Sequence, residues 1–205
     1  MNKKVLELIV KSVVAGMVNK YGVEDLDSAT SLLEFGIDDR RVARLKKQLW
    51  LALSGAAEPE PKKFLGELKI TSASSIAAVA AQLPVAYRES VPAASRPKGA
   101  LKFDGLGKGA VEVTVCTSLA QYSRKYSVVQ IKPQMKLKDL GLDQAGMAQA
   151  KVGIYRSVAG AKPSIGLNEY ISSPGIRSAP TVGDLVNASV QAFSLSGDET
   201  PKQRG

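Results

Sequence analysis

Sliding the 205-residue sequence against itself by 105 positions brings its two halves into register, and this repeat limits the available folds more than any other feature. Between Ala15 and Ala56 no gap is needed. Eleven of those 42 positions are identical: Ala15, Lys20, Tyr21, Val23, Leu32, Gly36, Asp38, Ala43, Lys46, Gly55 and Ala56. Chance at ordinary residue frequencies would give about two or three. The conservative matches fall where a core needs them: Leu26 on Ile131, Phe35 on Leu140, Ile37 on Leu142 and Trp50 on Tyr155. Past Ala56 the alignment resumes after four extra residues in the second copy, with Ser72 on Thr181, Ile76 on Leu185 and Val79 on Ala188. A repeat of this length is the mark of a duplicated folding unit.

Each unit reads as a set of helices. Leu6, Ile9, Val10, Val13, Met17 and Tyr21 recur at spacings of three and four, which makes one apolar stripe. Asp38 is placed to cap the next helix, because its carboxylate can accept from the open amides of the first turn. Val42, Leu45, Leu49 and Leu53 then line one face. Phe64 and Leu65 follow in a short third helix, and Ser72 is expected to cap a last helix over Ile76 to Leu83. The second copy repeats the order with Leu119 and Tyr126, Asp143 as cap, then Met147, Ile154 and Val158. Thr181 there caps the segment from Leu185 to Phe193. One local pattern departs from this all-α expectation. Val111, Val113 and Val115 alternate with Glu112 and Thr114, and Leu101 alternates with Phe103, which allows a short hairpin over residues 101–115.

The predicted organisation is therefore two four-helix modules in tandem: residues 1–85, a flexible linker over 86–110, residues 111–195 and a tail over 196–205. The linker assignment rests on its Pro, Ala, Ser, Arg and Lys content. No segment reaches the run of about 18 apolar residues that spans a bilayer. The opening MNKKVLELIVKSVVAGMV has two lysines and an aliphatic stretch, but Glu7 and Lys11 interrupt it, so it reads as an amphipathic helix of a cytoplasmic protein. Cys116 is the single cysteine, so no internal disulfide can form, and it reads as a small buried apolar residue in a reduced compartment. Histidine is absent, which removes the usual general base and the histidine-dependent serine and cysteine triads. The expectation is a protein that is not an enzyme and holds no metal or cofactor. Gly105-x-Gly107-Lys108-Gly109 lacks the phosphate-loop spacing and a following Ser or Thr, and Ser95-x-x-Lys98 lies beside Pro97 rather than on a helix.

The run Leu32-Leu33-Glu34-Phe35-Gly36-Ile37-Asp38-Asp39 and its counterpart Leu137-Lys138-Asp139-Leu140-Gly141-Leu142-Asp143-Gln144 resemble the acyl carrier protein signature, hydrophobic-Gly-x-Asp-Ser-Leu. Thr181-Val182-Gly183-Asp184-Leu185 is similar to the start of that family's last helix. The resemblance covers most of both modules and implies a small helical carrier-protein fold. It also implies a phosphopantetheine arm on the serine after the Asp, yet that position holds Asp39 in one copy and Gln144 in the other. Neither has a hydroxyl to attack the pantetheinyl phosphate of coenzyme A. Asp27-Ser28-Ala29 offers a nearby serine, but a helix starting there would run through Gly36 against the repeat register.

Carrier proteins of this kind are acidic and are read by basic partners, whereas this chain carries a formal +9. Residues 1–85 hold 12 basic and 10 acidic side chains, 86–110 hold 5 and 2, and 111–195 hold 9 and 5, so the excess is spread rather than gathered in a tail. At 100° per residue Arg40, Arg44 and Lys47 share a face opposite Val42, Leu45 and Leu49, and these three are the candidate partner-binding residues. The expected function is a protein–protein interaction or scaffold role toward a partner with an acidic surface. Nucleic acid is the less favoured partner, since aromatics near the basic residues are few. An acyl or lipid binder, with Met17, Met135 and Met147 in a pliable interior, is the third reading.

Overall fold

In a computed structural model the described residues are 2–54, 62–91, 108–123, 125–159 and 165–194. They form helices α1 (Lys3–Val18), α2 (Asp39–Ser54), α3 (Lys62–Glu67), α4 (Ile76–Ser90), α5 (Lys108–Ser123), α6 (Gln144–Ala159), α7 (Leu167–Ser172), α8 (Pro174–Arg177) and α9 (Val182–Ser194). A 3-10 turn, Leu137–Leu140, precedes α6. Among the described residues there is no strand, only the isolated bridge pairs Ser31–Ser75 and Lys136–Thr181, so the chain is all-α. No described helix is long and apolar enough to cross a membrane.

The repeat is carried into three dimensions. Helices α1 and α5 have the same length and start 105 residues apart, as do α2 and α6. Gly36 and Gly141 both take a positive φ, 85° and 73°, to turn the chain into α2 and α6. The loop before each helix is pinned by equivalent bonds: Leu32 N donates to Ser74 O as Leu137 N does to Pro180 O. Ala77 N donates to Ser28 O as Gly183 N does to Pro133 O. A ring cluster also recurs. Trp50 lies 5.1 Å from Phe64 and 6.3 Å from Tyr87; Tyr155 lies 5.6 Å from Tyr170 and 6.0 Å from Phe193. Where Phe64 becomes Tyr170, the matching Leu83 becomes Ser189, and the two new hydroxyls bond at 2.9 Å in the core. A buried phenol needs a partner, so Tyr170 depends on Ser189, whose own hydroxyl donates to Leu185 O at 2.7 Å.

These equivalences correct the tail of the sequence alignment. One extra residue, not four, enters before Tyr170, and the matches become Ser75 with Thr181, Ile76 with Val182 and Val79 with Leu185. The cap of α4 is Ser75, whose Oγ accepts from Ala78 N at 3.2 Å, not Ser72. Thr181 caps α9 as expected, Oγ1 accepting from Asp184 N at 3.2 Å. Helix α4 also runs past Pro84 to Ser90, because Ala86, Tyr87 and Val91 beyond the proline remain anchored in the core. The assigned linker therefore loses residues 86–90 to α4 and 108–110 to α5. The rest of it, the glycine run before Lys108, Ser95 to Lys98 and the tail over 196–205 lie outside the described residues.

The hairpin over 101–115 is overturned for residues 108–115, which are helical. Its alternation of valines misled because α5 has no wet face to read. Residues 113–120 are all buried, two turns of helix surrounded by protein. A helix apolar on every side has no 3.6-residue stripe, and β-branched residues suffer little there once packing fixes their rotamers.

The halves share one continuous core. Helices α1 and α5 pack against each other at its centre. Helix α2 sits on both, and so does α6; α4 covers α1 and α9 covers α5 on the remaining side. Two reciprocal backbone bonds join the halves: Val23 N donates to Ser157 O at 2.7 Å, and Val128 N donates to Ala52 O at 2.8 Å. Residues 23 and 128 are repeat equivalents, as are 52 and 157, so the halves meet as a two-fold dimer would. Ser12 adds a buried polar knot, its Oγ 3.0 Å from Thr114 Oγ1 and its carbonyl accepting from Ser157 Oγ at 2.9 Å. Mutual burial suits units this small, which alone would remove a smaller fraction of their surface from water.

Candidate interaction site

The motif residues gather where the loop enters α2 or α6. Asp38 Oδ1 accepts from Arg41 N at 2.9 Å, and Asp143 Oδ1 accepts from Gly146 N at 2.6 Å. Both aspartates therefore act as helix caps, each about 1 kcal/mol of helix stability. Arg41 Nη1 donates to Gly36 O at 3.0 Å, which ties the turn to the first turn of α2.

Asp39 Oδ1 accepts from Ser72 N at 2.9 Å. Its carboxyl is held below the usual range, mainly by that bond and by the Ser72 side chain. Ser72 also accepts from Leu33 N at 2.8 Å through its carbonyl, so Asp39 and Leu33 together fasten the segment after α3 to the start of α2. Gln144, the equivalent residue, is exposed and has no bonded partner among the described residues. Ser28 sits in a turn, its hydroxyl donating to Glu7 Oε2 at 3.2 Å and its carbonyl taken by Ala77.

Arg40, Arg44 and Lys47 are all exposed on α2, and none has an ion-pair partner among the described residues. Val42, Leu45 and Leu49 are buried on the opposite face, as the spacing predicts. Lys46 points elsewhere: its Nζ donates to Leu65 O at 3.2 Å, and burial lowers its pKa. Its repeat equivalent Lys151 is lowered by burial too. The basic face is thus set by the residues beside Lys46, not by the lysine the repeat preserves.

Sequence reasoning missed what the second half brings to this face. Lys47, Gln48 and Leu51 of α2 form one wall of an open cleft of about 570 Å³ between the halves. The end of α5, with half-exposed Tyr122, forms its floor, and the entry to α6 at Asp143 and Gly146 forms the other wall. No sequence signal marks it, because its walls come from different copies of the repeat and meet only through the packing of the two halves. Met17, Met135 and Met147 pack partly buried against the core, and Met135 Sδ accepts from Lys132 N at 3.3 Å. Among the described residues no group of His, Cys, Asp and Glu could hold a metal. No protein-family model matches the chain, and neither does any curated protein or solved structure.

Proposed function

We propose that the chain is a non-enzymatic interaction protein, an assembly or scaffold component of the cytoplasm, made of two degenerate acyl-carrier-like modules without a phosphopantetheine arm. The observation that carries this reading is Asp39. It stands where a carrier protein has its attachment serine, and its carboxylate is spent on the Ser72 amide at 2.9 Å, a structural bond rather than a chemical handle. Gln144 has no hydroxyl, and Ser28, the nearby alternative, is engaged with Glu7 and Ala77 away from a helix start. The exposed face of Arg40, Arg44 and Lys47 supports docking of a partner with an acidic surface. Co-expression with a broad-specificity phosphopantetheinyl transferase, followed by intact-mass measurement, tests the reading. The expected mass is that of the bare polypeptide; a holo increment would refute it.

A further inference from the structure

The two-fold relation between the halves carries the lining of this cleft onto a second set of residues, and the charge of that set differs. Repeat equivalence carries Leu51 onto Arg156, Ala145 onto Arg40, Gly146 onto Arg41 and Gln149 onto Arg44, while Tyr122 on the floor becomes Met17. The reciprocal bonds Val23–Ser157 and Val128–Ala52 support this operation, although α6 packs more closely on α5 than α2 does on α1. A Cβ on Gly16, at the end of α1, would lie 3.4 Å from Ser157 Oγ, which sets the last turn of α6 beside the end of α1.

We infer that Arg40, Arg41 and Arg44 of α2 converge with Arg156 of α6 on one crevice over the end of α1, and that this composite site takes an acidic peptide segment. The proposal rests on the interaction reading above and adds the second-half arginine and the class of ligand. All four arginines are exposed, and none has an ion-pair partner among the described residues. Arg41 is oriented by its bond to Gly36 O. The nearest carboxylates are already committed, Asp38 to Arg41 N and Asp39 to Ser72 N. The first turn of α2 adds the positive end of a 16-residue helix. Guanidinium groups suit carboxylates because they donate two parallel bonds to one group. Arg40 to Arg44 covers about 6 Å of helix at roughly 1.5 Å per residue, a length that two or three extended peptide residues match. The set carried onto the arginine side replaces Tyr122 by Met17 and holds no aromatic ring on which bases could stack, and this favours a peptide over a nucleic acid.

The test is fluorescence anisotropy of a labelled octaglutamate peptide on the full chain, at low and physiological salt. The variants are Arg44→Gln, Arg156→Gln, the double variant, and Lys4→Gln at the far end of α1 as control. Thermal midpoints are measured beside each to show that folding is intact. The expected result is about threefold weaker binding for each arginine variant, roughly tenfold for the double variant, and no change for Lys4→Gln. Loss with Arg44→Gln but not with Arg156→Gln overturns the composite crevice and leaves α2 docking standing. No peptide binding at low salt, or binding indifferent to both arginines, overturns both. Tighter binding of a DNA duplex of equal charge, with the same arginine dependence, overturns the peptide as occupant.

Discussion

Replacing Thr117 by valine should make this protein more stable, although it deletes a polar group from the centre of the molecule. Thr117 lies on α5 at 1% exposure, and its Oγ1 has no hydrogen-bond partner among the described residues. Its repeat equivalent is Ser12, whose hydroxyl donates to Leu8 O at 2.7 Å and sits 3.0 Å from Thr114 Oγ1. The two-fold would pair Thr117 with the equivalent of Thr114, but that residue is Ile9, which has nothing to offer. A hydroxyl desolvated without a partner costs about 1–3 kcal/mol, and valine fills nearly the same volume. The expected gain for Thr117→Val is about 1–2 kcal/mol, or a rise of roughly 3–6 °C in thermal midpoint for a chain of this size. Ser12→Ala is the converse change, because it leaves Thr114 Oγ1 buried and unpaired, and it should cost about 1–2 kcal/mol. Urea unfolding at constant m-value measures both. If Thr117→Val is neutral or destabilising while Ser12→Ala loses stability, Thr117 has a partner after all and the asymmetry argued from the repeat is wrong.

Two further outcomes follow from the same core. Burial pushes the Cys116 thiol up to about 12 and the Tyr170 phenol up to about 12. Both stay protonated in the folded state over a range where the unfolded chain has released its protons. Stability should hold below about pH 9 and fall between there and pH 12, by at most about 1.4 kcal/mol per pH unit per group. Cys116→Ala should flatten the lower part of that slope in pH-dependent unfolding, and thiol reagents should label native Cys116 only as fast as the chain unfolds. Gly36 and Gly141 hold φ of 85° and 73° at the turns into α2 and α6. Alanine at either should cost about 1–2 kcal/mol by urea unfolding. Equal stability would mean that these turns adapt to a different backbone.

The duplication, the all-α class, the four principal helices, the Asp38 and Asp143 caps and the exposed arginine face were all readable from residue spacing. Each depends on neighbours within a few positions along the chain, which is the range where helical periodicity and capping chemistry act. Residues 111–115 were misread as strand for the opposite reason. Residues 113–120 of α5 are enclosed by α6 and α9 of their own half and by α1 and α2 of the other, and a fully buried stretch carries no polar–apolar alternation of its own period. The end of the repeat slipped for want of long-range information: the ring clusters around Trp50 and Tyr155, the Ser31–Ser75 and Lys136–Thr181 bridges and the backbone bonds beside them set its register. Sequence alone also determined that Asp39 and Gln144 lack the hydroxyl an attached arm requires. Tertiary structure decided what Asp39 does instead, because its partner Ser72 is 33 residues away. It likewise decided that the two halves share one core. That follows from packing α1 against α5, since neither helix has enough of its own half around it to cover all its apolar faces.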